Sequence, residues 1–148
     1  MNPRQFKTFM NVSLQALDNL IKHDLPVIVG TEAKNHFREG FDKEGFTDKS
    51  LVKWKPRKER RRKDGSMSAK ERTRVGRKIL TGETGELSKI ESEPGTATVK
   101  VYTEASYAKF HNDGTDKLPQ RQFMGESQEL NQKIEKVILE EVEKLLLP

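Results

Sequence analysis

At 148 residues, 32% hydrophobic and 34% charged, the chain is one domain by size, with a lean core and a sizeable share of its length outside it. The absence of cysteine excludes a disulfide framework and a thiolate metal site, and no apolar run approaches the roughly 20 residues that span a bilayer. The net charge of +5 is lopsided: 53–78 holds thirteen basic and three acidic residues, net +10, and the remainder stands at −5.

The start, MNPRQFKTFM, is amphipathic without a signal-peptide apolar region, so a cytoplasmic site of synthesis and use is expected. Asn2 before Pro3 is placed to cap a helix with proline in its first turn. Phe6, Met10, Leu14, Leu17 and Ile21 then recur at spacings of four, four, three and four, one face of an α-helix. Pro26 is expected to end or bend it. A second helical stretch carries Val29, Ala33, Phe37 and Phe41 on one side. Gly30 inside it costs about 1 kcal/mol of helix propensity, and Gly40 and Gly45 loosen its end.

Between Lys53 and Lys78 there is no apolar periodicity. The segment 52–78 reads as a long flexible basic loop, or a hairpin arm that orders on contact, with Asp64-Gly65 as its turn. Trp54 on one side and Ile79-Leu80 on the other are its expected stems. After TGETG (81–85), 87–91 and 96–103 read as two strands joined by Glu93-Pro94-Gly95, with Ala97, Val99 and Val101 alternating against Thr98, Lys100 and Tyr102.

The segment 107–127, YAKFHNDGTDKLPQRQFMGES, is the most sharply punctuated. Tyr107, Ala108 and Phe110 read as the end of a strand, Asn112-Asp113-Gly114 as a chain reversal, and Pro119 as the start of an extended run. Segments around Tyr107 and Gln122 are candidates to extend the sheet. Phe123 and Met124 return to the core. Ser127 then opens a helix in which Leu130, Ile134, Val137, Ile138, Val142, Leu145 and Leu146 form a stripe about 30 Å long. This order of elements predicts one α+β domain over 1–148. A small antiparallel sheet carries N-terminal helices and a long C-terminal helix packed on one face, with the basic loop as an excursion.

The ordered series Trp54 with Pro56, the basic tract, Ile79-Leu80-Thr81-Gly82, Thr84-Gly85-Glu86-Leu87, then Tyr107-Ala108, His111, Gly114 and Pro119-x-Arg121-x-Phe123 resembles the phage virion morphogenesis family. These are tail-completion proteins of Mu-like and other long-tailed phages. The resemblance runs from about Phe37 to Leu147. Here Thr-Gly is doubled where the family typically shows it once, so either Gly82 or Gly85 occupies the matching position. The resemblance implies the same α+β architecture and a structural, non-catalytic role in head-to-tail joining. It further implies a homo-oligomeric ring at the head-proximal end of the tail, tube, neck or connector subunits as partners, and a place in the virion after assembly in the host cytoplasm. Trp54, Gly82, Leu87, Tyr107, His111, Gly114, Pro119, Arg121 and Phe123 become structural or interface residues on this reading.

Other chemistry fares poorly. His23, His36 and His111 are unpaired, with His36 read as a helix-surface residue and His111 as a turn residue; a zinc site takes four convergent ligands. Ser106, His111 and Asp113 lack a nucleophile elbow, and TGETG lacks the Gly-Lys-Ser/Thr of a phosphate loop. No catalytic residue, metal or cofactor is therefore expected. Trp54 and Phe123 fit loop anchors or a subunit contact; Arg121 fits a solvated side chain or, by resemblance, an intersubunit or loop-fixing contact. The surplus of glutamate on the last helix fits a solvated face or the complement of a neighbour's basic arm. Lys55, Arg57, Lys58, Arg60, Arg61, Arg62 and Lys63 would meet DNA phosphates, an acidic surface of another virion subunit, or neither. No aromatic is interleaved with them, which argues against base readout. The rival function is a free-standing, non-specific nucleic-acid-binding protein using 53–78.

Overall fold

The computed structural model describes residues 2–146; Met1, Leu147 and Pro148 lie outside them, including the last residue of the resemblance. The fold is α+β. Its elements are α1 (Pro3–Asn19), a π-helical turn (Leu20–Asp24), α2 (Leu25–Lys43), β1 (Gly45–Thr47), β2 (Leu51–Lys53), α3 (Ala69–Gly76), β3 (Glu91–Gly95), β4 (Thr98–Tyr102), α4 (Ala108–Asp113) and α5 (Gln128–Leu146).

Asn2 caps α1 as expected: its Oδ1 accepts from the Gln5 N–H at 2.8 Å and the Gln5 side chain returns the bond at 2.9 Å. Pro26 does not end the helix. Its ring has no N–H to offer the Lys22 carbonyl and would crowd that oxygen in an α turn. The chain widens there into a π turn, with the Leu25 N–H reaching Leu20 O. The Ala97 N–H donates to Lys22 O at 3.1 Å, supplying a donor that Pro26 cannot. Residues 3–43 thus form one rod, about 60 Å long at 1.5 Å per residue.

Gly30 has a packing reason. A Cβ there would lie 2.8 Å from Val99 Cγ2 and 3.1 Å from Ser92 Cβ, because the β3–β4 hairpin crosses α2 at this point. The helix gives up propensity for close approach. The hairpin's register pairs Glu91 with Tyr102 and Gly95 with Thr98. Its turn is therefore Thr96-Ala97, not Glu93-Pro94-Gly95. Pro94 sits within a strand of a two-stranded sheet, where a missing N–H is tolerated on the free edge. Val99 and Val101 are half-buried and Thr98 and Lys100 exposed, as the alternation predicts, but it fails at both ends, with Ala97 exposed at the turn and Tyr102 half-buried. Residues 86–88 form a 3₁₀ turn, not a strand, and Leu87 and Ile90 are buried.

Ala97 holds φ at 53°, a left-handed conformation that costs an L-residue about 1–2 kcal/mol. Ala97→Gly is expected to stabilise the protein by roughly 1 kcal/mol in urea denaturation, since the N–H bond to Lys22 is kept.

A second antiparallel hairpin, absent from the sequence reading, pairs β1 with β2: Gly45 with Lys53, Phe46 with Val52, Thr47 with Leu51. The two hairpins are separate sheets. The segments around Tyr107 and Gln122 add no strand to either. Residues 108–113 instead form α4, with Phe110 on its exposed side.

α5 begins as predicted. Ser127 Oγ accepts from the Leu130 N–H at 3.1 Å and donates to Thr47 O at 2.7 Å, while Asp48 Oδ1 accepts from the Gln128 N–H at 2.9 Å. The end of β1 thus fixes the start of α5, which runs against α2 and α1. His36 lies in this junction and is buried, contrary to its reading as a surface residue; it contacts Thr47 O at 3.1 Å through Nε2. The core joins Ala33, Phe37 and Phe41 of α2 to Phe46, Trp54, Leu80, Leu87, Ile90, Phe123 and Leu130. α1 stands outside it. Its predicted apolar face is largely uncovered, with Phe6 56%, Met10 40%, Leu14 58% and Ile21 45% exposed, and Phe9, outside that face, is 54% exposed. No helix of the described residues is long and apolar enough to cross a membrane.

Candidate functional site

The basic tract is a folded excursion anchored at both ends. Trp54 is buried, edge-on to Phe41 with ring centroids 5.3 Å apart, and its Nε1 donates to Gln122 O at 2.6 Å. Phe41 also packs on Phe123. Leu80 is buried at the returning end. The expected stems are thus the observed ones.

Within the tract, Asp64-Gly65 makes the expected turn: the Gly65 N–H donates to Arg62 O at 2.9 Å and Gly65 sits at φ 81°. A short helix, α3, then replaces the expected loop, with Ser68 Oγ accepting from the Glu71 N–H at 3.1 Å. The excursion is closed on itself by its own arginines. Arg57 donates from Nη1 to Arg74 O at 2.8 Å and Arg77 O at 2.6 Å, and from Nη2 to Lys78 O at 2.7 Å, so a guanidinium caps the carbonyl end of α3. Arg74 binds the Glu71 carboxylate and donates to Lys58 O at 2.6 Å, while Glu71 Oε1 accepts from the Arg60 N–H at 2.8 Å. Arg61 is taken up by Glu59 at 2.6 Å and Gly65 O at 3.1 Å.

Glu71 is held down to about 2 from an ordinary 4.5, first by the Arg74 side chain and then by the Arg60 N–H. A carboxyl whose pKa falls on folding stabilises the fold above its unfolded value and loses that contribution as pH drops. The difference in thermal stability between the parent and Glu71→Gln is therefore expected to be full above about pH 4.5 and to close as pH falls to 2.

The cations left over face outward. Among the described residues, the side chains of Lys55, Lys58, Arg60, Arg62, Lys63, Lys70 and Arg72 are exposed and make no hydrogen bond or ion pair. Of the seven tract residues singled out from the sequence, five stand free, and Arg57 and Arg61 are spent internally. Lys70 and Arg72 were missed because nothing in the sequence reveals which cations a fold will consume.

The 107–123 segment meets this excursion. Arg121 is buried; its Nε donates to Lys55 O at 2.8 Å and Nη2 to Pro56 O at 3.4 Å, which makes it a loop-fixing residue. Gly114, at φ 78°, lies so close to Gln120 that a Cβ would sit 2.9 Å from its backbone nitrogen. Asn112, read only as a turn residue, accepts through Oδ1 from both Phe123 N and Met124 N at 3.0 Å. Tyr107 donates to the Glu86 carboxylate at 3.1 Å, and His111 stands edge-on to Tyr107. The His111 Nδ1 is buried without a partner, and burial and nearby Arg121 lower its pKa. Ser106 and Asp113 make no hydrogen bond with His111. Gly82, at φ 58°, is exposed; Gly85, at φ 65°, opens the turn that buries Leu87.

Between the two segments lies an open cleft of about 720 Å³, lined by Lys55, Arg57, Lys58, Arg60 and Arg74 on one wall and by His111, Lys117, Pro119 and Arg121 on the other. Among the described residues, Glu59 and Asp116 are the carboxylates that line it. Chemically it can receive anionic groups; nothing in it positions a nucleophile beside a base. No protein-family model, curated protein or solved structure matches this chain.

Proposed function

We propose that this chain is a structural assembly subunit of a long-tailed phage, acting in tail completion and head-to-tail joining as one member of a homo-oligomeric ring. The observation that carries the reading is a convergence. Trp54, Pro56, Arg121 and Phe123, four residues of the series behind the family resemblance, belong to one interlocked unit: Trp54 on Gln122, Arg121 on Lys55 and Pro56, Phe123 on Phe41. That unit anchors the base of the cation-bearing excursion to the body. A platform of unpaired cations over an acid-leaning scaffold suits docking onto an acidic neighbour in a tube, neck or connector, and requires no bond-making.

The test is electron microscopy of particles produced without this chain. Full heads and separate tails should accumulate, and joining should return when the chain is supplied in trans. Joined, infectious particles in its absence would overturn the proposal.

The seven free cations also favour the nucleic-acid reading. A monomer neutralising seven phosphates of duplex DNA would bind with log affinity falling against log salt at a slope of about −6. Micromolar binding by the monomer at physiological salt, with that slope, would favour the rival.

A further inference from the structure

The long helical rod ends in a segment that the body does not cover. Phe6, Phe9, Met10 and Leu14 are 40–58% exposed on α1, and on α5 Leu139 and Leu146, seven residues apart and so on one face, are 56% and 54% exposed. Two apolar strips on neighbouring helices leave more uncovered surface than isolated exposed side chains do.

Charge identifies what fits them. From Pro3 to Leu17, α1 carries Arg4 and Lys7 and no acid. The last eight residues of α5 carry Glu140, Glu141 and Glu143 against Lys144 alone. Glu141 is paired with Lys144 at 2.6 Å and Glu140 reaches Lys136 only at 3.8 Å, while Glu143 is exposed. One helix is cationic beside its apolar strip and the other is anionic beside its own. We infer that two copies of this chain pair reciprocally through these arms, the α1 strip of each lying along the Leu139–Leu146 strip of the other as a four-helix bundle. The arrangement is isologous: each copy gives the same pair of helices and receives the same pair. A lipid surface fits less well, because α5, which packs on α1, ends in Glu140, Glu141 and Glu143, and acidic headgroups would repel them.

This goes beyond the assembly reading by naming a two-fold contact that joins copies in pairs, distinct from the head-to-tail contacts that close a ring, and it rests on that reading's homo-oligomer. The test is sedimentation of the full chain. The parent protein should self-associate, and Phe6→Glu with Phe9→Glu should weaken association at least tenfold while circular dichroism shows the body still folded. Two further variants exclude misfolding as the cause: Arg4→Glu with Lys7→Glu, and Glu140→Lys with Glu143→Lys. Each alone should be monomeric, and an equal mixture should associate again, because both contacts then regain opposite charges. A parent that is monomeric at all concentrations overturns the inference, as does a charge-variant mixture that stays monomeric. Binding to vesicles of phosphatidylcholine and phosphatidylglycerol without self-association overturns it as well. Association indifferent to the Phe6 and Phe9 changes also overturns it, yet leaves the assembly reading standing, since copies would then meet elsewhere.

Discussion

Trp54→Ala is expected to cost about 3–5 kcal/mol, the range for removing a large aromatic from a packed core. It is the largest stability effect anticipated for a single change. Three losses coincide at this residue: the ring edge-on to Phe41, its buried volume in the core cluster, and the Nε1 bond that satisfies Gln122 O. Guanidinium unfolding followed by far-ultraviolet circular dichroism measures the change. Trp54→Phe separates the losses, because it keeps most of the apolar volume and removes only the donor. A cost of about 1–2 kcal/mol is expected for that variant. An alanine variant as stable as the parent would mean that the excursion is not anchored through this ring.

The second large effect is a contrast within one segment. Replacing Lys55, Lys58, Arg60, Arg62 and Lys63 by serine is expected to leave the melting transition in place, each change falling within the roughly 0.5 kcal/mol of ordinary surface substitutions. The same variant should lose the ability to restore joined particles. Arg121→Met should behave in the opposite way. It removes charged donors from the carbonyls of Lys55 and Pro56, a loss of about 1.5–3 kcal/mol, while leaving every free cation in place. Calorimetry on purified protein and particle counts after complementation read the two quantities separately. If the serine variant unfolds, or still joins particles, the division between inward and outward cations is wrong.

That division is also where sequence reading stops. The helices were legible because apolar side chains recur with a 3.6-residue period in α1, α2 and α5, whether a helix buries that face, as α2 does, or leaves it uncovered, as α1 does, and the starts of α1 and α5 carry capping chemistry at Asn2 and Ser127. The α+β class followed from element order. The excursion's order was not legible, because it rests on Arg57, Arg74 and Arg121 bonded to backbone carbonyls, and such bonds leave no periodic trace. A tract held by guanidinium groups has the composition of a disordered one. The β3–β4 turn was misplaced for a different reason. Glu93-Pro94-Gly95 is a strong local turn signal, but the hairpin tip is set by the need to reach Lys22 O, and that contact places Ala97 at the corner despite its positive φ. Strands as short as β1 and β2 offer three residues each, too few for an alternation to register.

At the candidate site the anchors Trp54, Arg121 and Phe123 could be named in advance from their order along the chain, whereas their partners could not. Asn112 shows why. Its sequence setting, Asn-Asp-Gly, signals a turn whether or not the amide oxygen also receives two backbone N–H groups from eleven and twelve residues further on.

The widened turn at Leu20–Asp24 bears on the phase of the whole rod. One additional residue in a helical turn rotates everything on its N-terminal side by about 100° relative to an uninterrupted helix. Pro26, through that turn, thus sets the compass direction in which Phe6 and Phe9 point. Excising a single residue there would leave every side chain of the arm intact and swing them round to a bearing from which no mate could be reached.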